Sequence, residues 1–271
     1  MIETAATVLG GAAAIGASCR WNWWRAKVKG LPALMYHKIG DYPKGSALKK
    51  LWVTAKDFRR QLEYLKARGY TSVHFSDLRD AELGAAPMPK NPVLITFDDG
   101  YANNYELAFP ILQELGMKGN IFLVYGTTDR HNAWHNPAGE PWLPMLSWEQ
   151  ALRMQDSKVI EFGSHTMGHR NLEQIPLEEG RWELAESKKR LEDKLGREMV
   201  GFAYPYGAGA YNPRVRSLAR SAGYRYDFAI KQGISPWPWD PESGPLKRLL
   251  IRGDDSMLDF HLNLTRGRAR L

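Results

Sequence analysis

From Leu31 onward, short apolar runs alternate with longer segments of helical period. The runs Pro32 to Tyr36, Tyr70 to Val73, Pro92 to Phe97, Gly119 to Tyr125, Val159 to Gly163, Val200 to Tyr204, Tyr226 to Ile230 and Arg248 to Ile251 read as buried strands. Helices are expected between them. Phe58, Leu62 and Leu65 share one face of the segment 56–68, which Gly69 stops. Ser147-Trp148-Glu149-Gln150 fits a capping box that opens another helix, and 177–195 is long, charged and amphipathic. The repeated strand-helix order predicts a parallel sheet with helices outside. Eight such runs in about 240 residues suit a (β/α) barrel better than two domains. The Pro- and Trp-rich stretch 233–245 is expected to be an ordered loop, since Trp237 and Trp239 would be costly to leave exposed.

Residues 1–29 break this pattern. Positions 4–19 are uncharged and dominated by Ala and Gly, and Arg20-Trp21-Asn22-Trp23-Trp24-Arg25 follows. The apolar stretch is short for a span of about 20 residues, but Trp among Arg and Lys is the composition of a membrane-water interface. A membrane anchor or surface-seated helix is therefore expected here, ahead of a cleaved signal. The basic flank favours a cytoplasmic location for the domain that follows, with a cell-envelope location as the alternative. The composition, 44% hydrophobic and 25% charged, is that of a folded protein. The net charge of +7 is terminal: +3 lies in residues 1–29, +3 in a basic tail 266–271, and about +1 in the 236 residues between. A nearly neutral body offers no stripe for tracking phosphates, so no nucleic-acid partner is expected. The lone Cys19 excludes an internal disulfide and a cysteine-based zinc cage.

Three strand ends carry chemistry. Val93 to Phe97 runs into Asp98-Asp99-Gly100, two carboxylates where barrel enzymes place catalytic groups. Adjacent strand residues point opposite ways, so the pair can divide its roles only if Gly100 lets the chain turn. Val159 to Gly163 leads to His165 and His169, four apart, as on one helical turn whose imidazoles face the same side. Two imidazoles and one carboxylate on the same rim make a three-ligand site with open positions for a divalent metal, zinc first, and leave the second carboxylate free to act as a base. Phe202-Ala203 leads to Tyr204-Pro205-Tyr206-Gly207, a tight turn whose N–H groups could face an oxyanion while its rings wall a sugar site.

These residues, in this order, resemble the polysaccharide deacetylases that share the NodB homology domain, carbohydrate esterase family 4. The resemblance covers most of 31–265 and defines a domain of 30–265. Leu34-Met35-Tyr36-His37 and the helix-turn 58–70 look similar to the branch acting on poly-N-acetylglucosamine. The resemblance implies a distorted (β/α) barrel and metal-assisted removal of N-acetyl groups from a polysaccharide or glycoconjugate. It implies Asp98 as general base and Asp99, His165 and His169 as ligands of zinc or a similar ion. It also implies that the Tyr206 backbone N–H helps hold the oxyanion. Two departures stand out. Ala203 occupies a position where many members carry an Arg that pairs with the base, leaving Arg248 or Arg252 to supply that charge. The final motif, Leu249 to Gly253, lacks the usual acid histidine. His37, just past the first strand, is the preferred acid from topology. His261 is expected to be structural, and His131 and His135 to lie in a surface loop. A deformylase or deacylase on a lipid-linked sugar, or a degenerate glycan-binding member, are the alternative readings.

Overall fold

The computed structural model describes Gly16, Ser18 and residues 20–270. All eight apolar runs form strands, and seven of them close a parallel ring. These are β1 (Ala33–Tyr36), β5 (Pro92–Phe97), β6 (Gly119–Leu123), β7 (Ile160–Ser164), β8 (Gly201–Ala203), β9 (Tyr226–Gln232) and β10 (Leu246–Leu250). Leu34 sits between Ile95 on one side and Leu249 on the other, which shuts the barrel. A two-residue pair, β2 (Lys38–Ile39) and β3 (Trp52–Val53), stands apart from it.

The eighth run forms β4 (Thr71–Val73) but does not enter the ring. It pairs only with the first half of β5, Thr71 beside Pro92 and Val73 beside Leu94. This placement delivers Phe75 to the end of the barrel at which the strands begin. Its ring lies 5.0 Å from Phe122 and 5.3 Å from Phe228, and a Cβ on Gly201 would come within 2.8 Å of it. The lower end of the barrel interior is thus filled, and the interior opens at the opposite mouth.

Alternation along the strands sorts the side chains. Ala33, Leu94, Phe122, Ala203, Phe228 and Leu246 fill the barrel, while Leu34, Ile95, Phe97, Ile121 and Leu249 face the surrounding helices. Those helices include α1 (Ala55–Ala67), α2 (Phe75–Glu82), α3 (Phe109–Leu115), α4 (Trp148–Asp156), α5 (Leu177–Leu195), α6 (Pro213–Ser221) and α7 (Met257–Arg266). Phe58, Leu62 and Leu65 of α1 are buried, and the Ser147–Gln150 capping box opens α4. Trp239 in the loop after β9 is buried and donates to Gly244 O.

The two basic ends meet. Residues 1–15, where most of the apolar anchor was placed, and Cys19 lie outside the described residues. No helix among the described residues is long and apolar enough to cross a membrane. Trp23 and Trp24 are exposed, but Trp21 forms a β-bridge with Arg270 and donates to Asp259 Oδ1. The described part of the basic tail, 266–270, is folded: Arg266 ends α7, Ala269 is buried, and Arg270 reaches Asp254, Asp255 and Asp259. Of the three arginines there, Arg270 answers a local acidic cluster.

Within that cluster burial pushes the Asp255 carboxyl up to about 6, outweighing the Arg252 N–H and the Arg270 charge that oppose it. A carboxyl whose folded pKa is raised favours the fold below its unfolded value and loses that advantage as pH rises through the folded one. Asp255→Asn, which removes the charge and keeps the shape, is expected to match wild type below pH 4. At pH 8 it should be more stable by on the order of 2 kcal/mol. Urea denaturation at the two pH values measures this, and an equal effect at both would refute it.

Candidate metal centre and active site

Leu94, Thr96 and Asp98 follow the inward row of β5, so the Asp98 carboxylate enters the barrel mouth as the strand ends. A regular strand would turn Asp99 outward. Instead Asp99 takes a left-handed conformation (φ 75°) and Gly100 continues the turn at φ 83°. A side chain at Gly100 would collide with Leu123 Cδ2 at 2.6 Å. Both carboxylates are therefore buried at the same mouth, with different neighbours.

Asp98 faces Arg248, which is completely buried. Arg248 Nη1 donates to Oδ1 at 2.5 Å and Nη2 to Oδ2 at 2.9 Å, while Nε donates to Ala229 O. The two-pronged contact fixes the carboxylate plane. Burial alone would raise the Asp98 pKa, but the guanidinium and the neighbouring His37 and His165 hold it below the usual carboxylate range. Arg248, not Arg252, therefore supplies the charge missing at Ala203. Two residues beyond Leu246, it points into the barrel, with its guanidinium 5.5 Å from the Phe122 ring centroid. Ala203 faces the same interior.

Asp99 faces the two histidines. Its Oδ1 lies 3.4 Å from His165 Nε2 and 3.3 Å from His169 Nε2. The trio is buried, with ligand atoms all within 4.8 Å of one another. His165 Nδ1 is 2.7 Å from Ala203 O, an acceptor, so that nitrogen carries a proton, and in the metal-binding tautomer the lone pair of Nε2 is turned toward a carboxylate oxygen. Two facing acceptors repel unless a cation lies between them. A tetrahedral zinc with bonds of about 2.0–2.1 Å separates its donors by about 3.3–3.4 Å. The donor set and its spacing fit a divalent ion with three protein ligands and an open position.

The helical spacing expected of the two histidines is not how they meet. They lie in an irregular loop after β7, where Thr166 (φ 70°) and His169 (φ 57°) both adopt left-handed backbone. Buried Glu183 of α5 holds that loop, accepting from the N–H groups of Met167 and Gly168 at 2.9 Å each, and Thr166 Oγ1 accepts from His169 N. Of the six non-glycine residues with positive φ among the described residues, Asp99, Thr166, His169 and Tyr206 belong to this site. Strain of this kind persists where surrounding contacts over-determine it.

His37 stands on the same rim, its Nε2 3.8 Å from Asp98 Oδ2. Asn104 Nδ2 donates to the His37 carbonyl. Burial pushes the imidazole below its ordinary value, with the Asp98 charge opposing, so the ring is neutral at pH 7. Tyr206, at φ 58°, sets its half-exposed ring edge-on to His169 at 4.6 Å. His261 bonds through Nδ1 to the Tyr64 hydroxyl, far in sequence from these groups and in a packing role between α7 and α1.

A cleft of about 320 Å³ joins His37, Asp98, Asp99, His165, His169 and Tyr206. Its walls include Leu48 and Leu51 from one loop and Trp134 from another, none of them expected from the sequence, together with His135, whose loop does not simply face solvent but lines the cleft. The Trp134 ring stacks on His169 at 4.4 Å and 20°. His131 instead stacks on Trp142, so the two loop histidines diverge. Nothing in the local sequence marks Trp134 as a wall of the site; its aromatic character in a long Pro- and Gly-rich loop was the available signal.

The division of the two carboxylates is testable by zinc titration against a chromophoric chelator. Asp99→Ala is expected to lose at least about 100-fold in affinity. Arg248→Met should retain zinc binding while losing about 3–5 kcal/mol of stability, because it strands the Asp98 charge. Wild-type affinity in Asp99→Ala would contradict the assignment.

Comparison with known proteins agrees with this geometry. The family model for polysaccharide deacetylase matches residues 85–226. The chain is 31% identical over 209 residues to the putative polysaccharide deacetylase YxkH of Bacillus subtilis, covering 76% of this chain and 66% of that protein. It is 24% identical over 241 residues to the poly-β-1,6-N-acetyl-D-glucosamine N-deacetylase of Staphylococcus aureus, covering 82% and 79%. It spans only 20% of the Escherichia coli protein of that name. Among solved structures, the putative polysaccharide deacetylase BA0330 of Bacillus anthracis superposes with a TM-score of 0.72 at 28% identity, covering 89% of this chain and 70% of that one. The Streptococcus pyogenes deacetylase PplD in complex with acetate gives 0.70 at 26%, covering 86% and 95%. With its seven-stranded barrel and the Asp98, Asp99, His165 and His169 motifs at the mouth, the chain belongs to the polysaccharide deacetylase family.

Proposed function

We propose that this protein is a metal-dependent N-deacetylase acting on N-acetylated sugars of a polysaccharide, with a poly-N-acetylglucosamine-like glycan as the substrate class. The observation that carries the reading is the split of the adjacent carboxylates, Asp98 onto Arg248 and Asp99 onto two histidines. The relatives from Staphylococcus aureus and Escherichia coli are named for deacetylation of that polymer. The nearly neutral body of the chain suits an uncharged acetylated glycan.

Asp99, His165 and His169 would hold the ion, zinc by preference. When bound, it supplies Lewis-acid polarisation of a carbonyl and acidification of water. Asp98 is the general base: Arg248 keeps it ionised and oriented, so it can accept the proton that the attacking water loses. The Tyr206 backbone N–H donates to the oxyanion that develops on the acetamide. His37 is the group that returns a proton to the departing amine. Its neutral ring, with Nε2 3.8 Å from Asp98 Oδ2, takes over the proton that Asp98 has accepted from water and passes it to the amine as the C–N bond breaks, which leaves both groups as they began. Each of these roles is local to the mouth of the barrel.

Acetate release from N-acetylglucosamine oligomers by zinc-loaded protein tests the reading. Activity should disappear with a chelator, and Asp98→Asn should lower kcat by about 100-fold or more while zinc stays bound. His37→Ala should lower it by a similar order. Formate rather than acetate release from formylated sugars would move the assignment to a deformylase. Zinc-independent turnover, or binding without turnover across the panel, would overturn it.

A further inference from the structure

Lys38, next to His37, is completely buried, and its Nζ donates to Glu140 Oε1 at 2.8 Å. The ammonium lies 4.9 Å from the Tyr101 ring centroid and 5.6 Å from that of Trp52. Glu140 is also buried, and its carboxylate accepts two further donors, Ser46 Oγ and Leu48 N. One carboxylate thus joins three stretches of chain: β2, the loop 40–51 and the loop 128–147.

Those two loops supply Leu48, Leu51, Trp134 and His135 to the cleft. The legs of the longer loop are held by main-chain bonds, Ala102 N to Pro144 O and Leu146 N to Gly100 O. Its outer part, 133–139, is largely exposed, and Glu140 ties it back across the cleft. The backbone around His37 is secured separately, by Asn104 on His37 O and Asn103 on Ile39 N. Loss of the Lys38 ammonium would therefore leave the position of the rim histidine held by its own backbone ties and displace the loops.

A buried ion pair is a poor way to gain stability, because desolvation offsets most of the attraction and an apolar pair of similar volume serves as well or better. What an apolar pair lacks is direction. We infer that the Lys38–Glu140 pair is a positioning clasp that holds the two loops at the separation that shapes the sugar-binding cleft, keeping Trp134 stacked on His169. Neither residue touches reacting atoms. The inference rests on the deacetylase reading for the identity of the ligand, and on the loop contacts alone for the clasp itself.

The test uses Glu140→Gln, Lys38→Met and the double variant Lys38→Met/Glu140→Leu in the zinc-loaded full chain. Deacetylation of N-acetylglucosamine oligomers should show KM raised roughly tenfold or more in all three, with kcat at saturation within about threefold of wild type. The double variant should regain the Tm lost by the single ones without regaining KM. Limited proteolysis within 128–147 should accelerate in all three variants. Recovery of KM together with Tm in the double variant, or a fall in kcat at unchanged KM, would reduce the pair to ordinary packing and overturn the inference. If wild type turns over no N-acetyl sugar, the deacetylase reading fails instead. The proteolysis then decides: faster cleavage upholds the clasp, and wild-type resistance in all three variants overturns it.

Discussion

Two adjacent carboxylates buried in the mouth of a barrel are the constraint on which the rest of the site depends. Burial raises the cost of ionising both, and like charges so close in the chain add to it. The protein resolves this by giving each a different partner: a fixed cation for Asp98, and for Asp99 a pair of imidazoles with which it can hold a metal ion. Arg248 engages both oxygens of Asp98, and two imidazoles converge on one oxygen of Asp99. The separation is a backbone property, since without the left-handed turn at Asp99 and Gly100 the second carboxylate would leave the mouth. One residue becomes an oriented, ionised base, and the other becomes a metal ligand.

The supporting structure holds strained geometry in place. Glu183 supplies an acceptor for two N–H groups of the histidine loop, and Ala203 O fixes the tautomer of His165. Close backbone approach at Gly126, where a Cβ would lie 2.7 Å from Met167 O, seats that loop against the next. At the other end of the barrel Phe75 fills the interior, so the buried charges have apolar floor beneath them and open only upward. Low-dielectric surroundings strengthen each of these pairings, which is why their geometry matters more here than on the surface.

The strands were legible because parallel strands buried on both faces read as continuous apolar runs, and the ligand residues because they sit where those runs end. It is their position after a strand end, rather than the four-residue spacing, that brings the two histidines together, since the loop is not helical. Closure at seven strands was not legible, since β4 has the same apolar signature as its neighbours and only its pairing excludes it. The choice of Arg248 over Arg252 follows from where β10 ends: the two share strand parity, but only Arg248 lies within the strand, and Arg252 falls beyond Leu250. Trp134, Glu183 and the Lys38–Glu140 pair were missed because each acts across many residues of chain through loops whose paths no local periodicity encodes. The partners of Arg270 are hidden for a similar reason: Asp254, Asp255 and Asp259 become its neighbours only when the chain folds back at Gly267.

The central claim is the unequal use of Asp98 and Asp99, and a crystal structure of the zinc-loaded protein, with the ion located by anomalous scattering, addresses it most directly. The account predicts zinc bound by Asp99, His165 and His169 as its protein ligands, with Asp98 still paired to Arg248 through both oxygens. Zinc bound through Asp98, or an ion seated away from these residues, would contradict it.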